Sequence, residues 1–212
     1  YYMIKGIIFD LDGVLVLTEK YHYNAWKQVL DAENIYIDEV MYDKLRGLSR
    51  IDTLNQILKI ANKEYSEKQK EILANKKNEI YKEYLKELGP SDISGDLIKT
   101  LLILKGKNVK LAIASSSKNA TNIAKQTDLL KYFDVIVDGN QINKAKPDPE
   151  VFLKAANKLN LLVNECLVVE DAISGIDAGI AGGFKTVGIS IAKSYDKTTY
   201  KIDNIIDLLK YI

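Results

Sequence analysis

The chain is poor in residues that staple or punctuate a fold: of its 212 residues, one is cysteine, three are proline, one is histidine and one is tryptophan. A lone thiol, Cys166, rules out an intrachain disulfide and fits a reducing cytoplasm. It adjoins an apolar run and reads as a small core residue rather than a nucleophile. No apolar run approaches the length of a membrane span, and the N-terminus has no signal-peptide pattern. Tyr1 and Tyr2 read as an added remnant ahead of Met3, the natural start. Neither charge sign is in excess: 30 basic and 29 acidic residues give a net charge of +1. That balance argues against a dedicated nucleic-acid or membrane surface. The Lys-rich stretch 62–86 also carries five glutamates, which makes it a solvated helix face. Low-complexity segments and internal repeats are absent, and 47% hydrophobic content is ordinary for a globular protein.

Two textures are present. Short apolar runs at Ile4–Phe9, Lys110–Ala114, Val135–Asp138, Leu167–Glu170 and Lys185–Ile189 read as strands. From Asp96 onward they alternate with helical segments, as in a parallel sheet covered by helices. Between the first strand and that alternation, residues 18–89 contain no convincing strand. Ser49 is placed to cap a helix over Arg50–Ala61 with Leu54, Ile57 and Leu58 on one face. Ser66-Glu67-Lys68-Gln69 is a capping box, and Gly89-Pro90 stops the helix it opens. The fold class expected is α/β: a Rossmann-like core on a central, mostly parallel sheet, with a small all-helical cap domain inserted after the first strand. The core takes residues 1–17 and 90–212 and the cap 18–89, with hinges near Val16-Leu17 and Gly89-Pro90-Ser91.

Four patterns carry chemistry, and each lies at or just past a strand end, where parallel α/β sheets bind ligands. Asp10-Leu11-Asp12-Gly13-Val14 follows the first strand. Asp10 is a competent phosphoryl acceptor, because an ionised carboxylate forms a reactive acyl phosphate. Asp12 is placed to move a proton to or from an oxygen, a task that calls for a pKa raised toward neutrality. Gly13 permits the turn. On its own the motif could be a strand followed by an Asp-Gly turn. Ser115, after the second strand, opens a serine-rich loop placed to bind phosphate, although this stretch taken alone reads more simply as a helix cap. Lys146 is presented between rigid prolines in Lys146-Pro147-Asp148-Pro149, although a solvated turn lysine gives the same pattern. Glu170-Asp171 ends an apolar strand, where acids are costly unless paired or metal-bound. With Asp10 and Asp12 they form a hard-oxygen set suited to Mg²⁺.

Together and in this order, the four patterns resemble the haloacid dehalogenase superfamily of phosphotransferases. The resemblance implies Asp10 as nucleophile and Asp12 as general acid/base that also ligates metal through its carbonyl. It implies Ser115 and Lys146 on the transferring phosphoryl group, and Glu170 and Asp171 completing a Mg²⁺ site. The insert narrows it. Segments 18–27, 46–54 and 73–78 and the triplet Ser117-Lys118-Asn119 are similar to those of sugar-phosphate mutases of that superfamily. Those enzymes interconvert glucose 1- and 6-phosphate through a β-glucose 1,6-bisphosphate. This implies a hinge role for Thr18 and substrate contacts from His22, Trp26, Gly47, Leu48, Arg50, Thr53, Lys77, Ser117, Lys118 and Asn119. Arg50, Ser117, Lys118 and Asn119 would hold the phosphate that is not being transferred, and His22 paired with Lys77 would link closure to the placement of Asp12. Taken alone, His22 reads as a helix-surface residue and Trp26 as cap packing. One departure stands out: Leu17 occupies the place before the hinge threonine where such mutases usually carry aspartate. The partners implied are small sugar phosphates, with no nucleic acid, no membrane and a monomeric chain. A phosphatase on the same scaffold is the nearest rival. A phospho-aspartate receiver module is the rival from another class, disfavoured by the helical insert and by the second acid at Asp12.

Overall fold

The computed structural model describes residues 3–212, so the reading of Tyr1 and Tyr2 as an addition lies outside the described residues. Six strands form one sheet: β1 (Gly6–Phe9), β2 (Lys110–Ala114), β3 (Val135–Val137), β4 (Cys166–Glu170), β5 (Lys185–Gly188) and β6 (Tyr200–Lys201). Their order is β3-β2-β1-β4-β5-β6, and every pairing is parallel. The sheet is thus wholly parallel. It has one more strand than the apolar runs predict, because the two residues of β6 are too few to leave a pattern. β1 is fully buried, as a central strand covered on both faces must be.

The helices are α1 (Glu19–Asp31), α2 (Glu39–Asp43), α3 (Arg50–Ile60), α4 (Glu67–Leu85), α5 (Gly95–Gly106), α6 (Ala120–Gln126), α7 (Glu150–Lys158) and α8 (Ile173–Ala181). Four of them, α1 to α4, make the insert after β1. The predicted caps form: the Ser49 hydroxyl accepts the Asp52 amide, and Ser66 and Gln69 complete the capping box. Leu54, Ile57 and Leu58 face inward with Trp26, Val29 and Leu73 in a cluster of the insert's own. A second cluster lines one sheet face through Ile7, Phe9, Leu101 and Leu111, and a third the opposite face through Ile8, Val168 and Phe152. Among the described residues no helix is long and apolar enough to cross a membrane.

The alternation along β1 therefore divides two cores, while the strand as a whole puts Asp10 at its carboxyl end. β1 lies where the strand order reverses, the place where open α/β sheets leave a crevice for ligands.

Cys166 opens β4 and is 1% exposed, with its thiol pushed up to about 12 by burial and by the Glu165 charge. The native protein should therefore not react with Ellman's reagent at pH 8, and one thiol should appear in guanidinium. Rapid labelling of the native state would mean that β4 is not buried as described.

Candidate active site

The four motifs converge beyond the carboxyl ends of the central strands. Asp10 continues the β1 ladder, its amide donating to the Val169 carbonyl at 2.9 Å. Ser115 does the same after β2, donating to Val137 at 3.0 Å. Lys146 enters from the loop between β3 and α7, where the Lys146-Pro147 peptide is cis. Its side chain is 1% exposed, and its ammonium donates to Asp10 Oδ1 at 2.6 Å and to Glu170 Oε1. The Phe152 ring lies 4.8 Å from Nζ. Burial pushes the Asp10 carboxyl well above its ordinary value despite Lys146, with the Glu170 and Asp12 charges adding to the rise. Burial pulls Lys146 the other way, but Asp10 and Glu170 outweigh it and keep the amine charged.

Asp10, Glu170 and Asp171 can each bring one carboxylate oxygen within 4.8 Å of the others. Burial, with Glu170 and Asp10 beside it, pushes the Asp171 carboxyl well up. Three crowded hard-oxygen donors fit a divalent cation such as Mg²⁺. Glu170 is the least available of them. Its Oε1 meets Lys146, and its Oε2 accepts the amides of Asp171 at 3.1 Å and Ala172 at 3.2 Å. The predicted set included Asp12, but its carboxylate is absent from this cluster.

Asp12 is instead turned toward the insert. Its Oδ1 accepts from the Thr18 hydroxyl, from His22 Nε2 at 3.4 Å and from the Tyr81 hydroxyl at 3.3 Å, while Ser115 Oγ lies 3.5 Å from Oδ2. Burial favours the neutral acid, but the His22 hydrogen bond and charge, Thr18 and Lys77 together hold the carboxyl down to about 2. This corrects the expectation of a raised pKa, because donors converging on one oxygen overcome desolvation. Burial and the Lys77 ammonium hold His22 down to about 4, so the ring is neutral at pH 7. Lys77 donates to His22 Nδ1 at 2.7 Å, which leaves the ring proton on Nε2, facing Asp12. Burial and then the Arg50 charge bring Lys77 itself down to about 7.

A cavity of about 440 Å³ between insert and sheet is lined by Asp10, Asp12, Ser115, Lys146 and Asp171. The insert contributes His22, Trp26, Gly47, Leu48, Arg50, Thr53 and Lys77, and the loop after β2 contributes Ser117, Lys118 and Asn119. Two predicted residues do not reach it. Thr18 and Glu170 are fully buried behind it, Thr18 donating to Asp12 and Glu170 accepting from Lys146. The Thr53 hydroxyl donates to the Ser49 carbonyl at 2.9 Å, so toward a ligand it can only accept. Gly47 owes its identity to its backbone as well as to any ligand: its φ is +78°, and a Cβ there would run into Ser174 Oγ. Leu17 is 76% exposed and outside the cavity. The Arg50 guanidinium is half-buried, with the Ala74 carbonyl at 3.2 Å as its acceptor. Among the described residues no carboxylate lies within ion-pair distance of it. Burial lowers its pKa, with only Glu79 opposing.

Sequence reasoning gave no role to several lining residues. Arg46 bridges Asp43 at 2.7 Å and Asp171 at 3.4 Å, and its carbonyl accepts from Ser174 Oγ at 2.7 Å. Asn78 accepts from Asn119 Nδ2 at 3.0 Å, and Tyr81 reaches Asp12. Ala74, Lys77, Asn78 and Tyr81 all line the cavity at helical spacing, a signal that could have found the last two.

The family profile described as haloacid dehalogenase-like hydrolase matches residues 4–183, which takes in all four motifs and the insert. The chain belongs to the haloacid dehalogenase-like hydrolase family. Among curated members of this family, the chain is 37% identical to a β-phosphoglucomutase of Bacillus subtilis, over 88% of this chain and 83% of that protein. It is 30% identical to a phosphorylated carbohydrates phosphatase of Thermotoga maritima, over 87% and 84%. The crystal structure of a β-phosphoglucomutase from Clostridium difficile matches with a TM-score of 0.90 at 36% identity, covering 97% of this chain and 93% of that one. As a haloacid dehalogenase-like enzyme, the chain performs phosphoryl transfer or hydrolysis, for which a buried carboxylate held by a fixed ammonium is equipped.

Lys146→Ala leaves Asp10 and Glu170 buried without their cation, and should destabilise the protein by about 3–5 kcal/mol at pH 7. Asp10 already has a folded pKa above its unfolded value, and losing Lys146 raises it further. The folded variant then binds protons more strongly than the folded wild type, so the deficit shrinks as the pH falls from neutrality toward the carboxylate range. Urea midpoints of wild type and variant at pH 7 and pH 5, in EDTA, measure both effects. A pH-independent deficit would assign Lys146 a packing role alone.

Proposed function

We propose that the enzyme is a Mg²⁺-dependent β-phosphoglucomutase interconverting β-D-glucose 1-phosphate and β-D-glucose 6-phosphate. The observation that carries this reading is the Arg50 guanidinium, half-buried without a carboxylate partner in the same cavity as Asp10. A desolvated cation of this kind is satisfied by a second phosphate, and Arg is the side chain suited to hold one. A hydrolase acting on one phosphate needs no such anchor.

In this reading phosphorylated Asp10 gives its phosphoryl group to the C6 hydroxyl of the 1-phosphate, and Asp12 takes the hydroxyl proton. The product, β-glucose 1,6-bisphosphate, turns end for end. Asp10 then attacks the C1 phosphate, and Asp12 returns its proton to the leaving O1. Ionised Asp12 is the form needed first, and an incoming dianion raises its pKa by like-charge repulsion, which favours the return. Lys146 and Ser115 hold the transferring group, while Ser117, Lys118 and Asn119 join Arg50 on the other phosphate. Asp10, Asp171 and the Asp12 carbonyl would hold Mg²⁺, with Glu170 behind them. The ion would neutralise charge on the transferring phosphoryl group. Cap and core are read as separate units, 18–89 against 1–17 and 90–212, so that closure excludes water from the aspartyl phosphate.

Asp10→Asn should fold normally and lose turnover, because an amide cannot form the acyl phosphate. EDTA should stop the wild-type reaction and Mg²⁺ restore it. Arg50→Ala should impair mutase turnover far more than phosphorylation of Asp10 by acetyl phosphate. With β-glucose 1-phosphate, glucose 6-phosphate should form after a lag that added β-glucose 1,6-bisphosphate shortens, and the α anomer should react poorly. The Thermotoga maritima relative makes a sugar-phosphate phosphatase the second reading. Stoichiometric release of inorganic phosphate with little glucose 6-phosphate would establish it in place of the first.

A further inference from the structure

Lys77 poses a problem that the proposed chemistry does not solve. Its ammonium is 3% exposed, and among the described residues no carboxylate lies within ion-pair distance. The positive Arg50 is near enough to disfavour its charge. Two aromatic rings face Nζ instead, Tyr81 at 4.3 Å and Trp26 at 5.7 Å. A desolvated ammonium over ring faces is attracted by their negative potential, which makes the rings a partial substitute for a counter-ion. The same Tyr81 ring stacks under His22, with centroids 3.9 Å apart and planes 20° from parallel. Its hydroxyl lies 3.3 Å from Asp12 Oδ1. Tyr81 is itself fully buried, so its ring is fixed by packing.

We propose that Tyr81 is a positioning residue for Asp12: its ring face fixes His22 and Lys77 in register, and its hydroxyl completes the set of donors on Asp12 Oδ1. This deepens the proposed function, since it rests on Asp12 moving the proton. The ring holds Lys77 aimed at His22 Nδ1. While Lys77 donates there, the ring proton stays on Nε2 and points at Asp12. Without the aromatic face, the ammonium has no reason to remain buried and His22 is free to rotate. The hydroxyl has a separate effect, because a donor to an ionised carboxylate helps fix which way its lone pairs point.

His22 is the only histidine in the chain, so its imidazole gives a single ¹⁵N pattern in long-range ¹H–¹⁵N spectra. Untagged, metal-free wild type should show the Nε2–H tautomer. Tyr81→Leu should lose it and fall about a hundredfold in kcat. Tyr81→Phe should recover the tautomer, yet remain about tenfold below wild type in kcat with KM little changed, as expected for one lost hydrogen bond to a charged group. A folded Tyr81→Leu protein with the wild-type imidazole pattern would overturn the role of the ring, and full kcat in Tyr81→Phe would overturn that of the hydroxyl. If Tyr81→Leu fails to fold, Tyr81→Met takes its place as the test of the ring, and Tyr81→Phe decides the hydroxyl. Asp12→Asn is the control that separates the two ideas. An active Asp12→Asn enzyme removes the proton-transfer reading, whereas an inactive one beside a fully active Tyr81→Phe removes only the hydroxyl's part in positioning Asp12.

Discussion

The buried contact of Lys146 with Asp10 and Glu170 is the constraint on which the site depends. Taking one ammonium and two carboxylates out of water costs several kcal/mol per ion, repaid only when geometry and further hydrogen bonds are right. The sheet supplies both. β1 and β4 are neighbours, so the acids at their ends share one place, and the amides after β4 satisfy the outer oxygen of Glu170. Lys146 is then held from two sides and cannot swing away. A cation so fixed needs no reorganisation when charge develops on a transferring group, which is how preorganised sites lower barriers.

A second network, built on Asp12, joins sheet to insert. Thr18, His22 and Tyr81 all belong to the inserted helices or the residue that leads into them, and all meet the carboxylate of a residue just past β1. Further contacts repeat the theme at the edges of the cavity: Arg46 with Asp171 and Ser174, and Asn78 with Asn119. Apolar packing is shared as well: Ala25, Tyr81 and Leu85 of the insert lie in one cluster with Leu11, Val14, Leu15 and the sheet residues Phe9 and Leu111. The insert keeps its own apolar cluster for its own stability.

Much of this was legible in the sequence because strand ends are local signals. An apolar run followed by acids, by serines or by Lys-Pro identifies Asp10, Ser115, Lys146 and Glu170, and the parallel sheet brings them together as expected. The capping motifs at Ser49 and Ser66 were equally readable. What escaped was tertiary. β6 is two residues that take their strand character from β5 alone. Arg46 matters because a loop docks on Asp171, far away in the chain, and no spacing rule reports that. The Asp12 carboxyl was expected to rise, but donors from three points of the chain hold it down. Glu170 joins Asp10 and Asp171 as the sequence suggests, but its bonds with Lys146 and the two amides after β4 depend on tertiary structure. Tyr81 shares the helical spacing of Lys77, but its role comes from stacking on His22, which no local pattern reports.

The central placement of β1 also governs how the molecule comes to exist. Gly6 pairs with Lys110 on one side and Cys166 on the other, residues made about 100 and about 160 positions after it. At ordinary elongation speeds of about 5–20 residues per second, the apolar strand Gly6–Phe9 waits on the order of ten seconds for its second neighbour. The helices that follow it face no such delay, since the cluster around Trp26, Leu54 and Leu73 is complete before β2 is made. The insert can thus collapse early beside the waiting strand. Assembly of the sheet is a non-local, slower event, and the acid at the end of β1 meets its lysine only after the intervening helices and strands have been made.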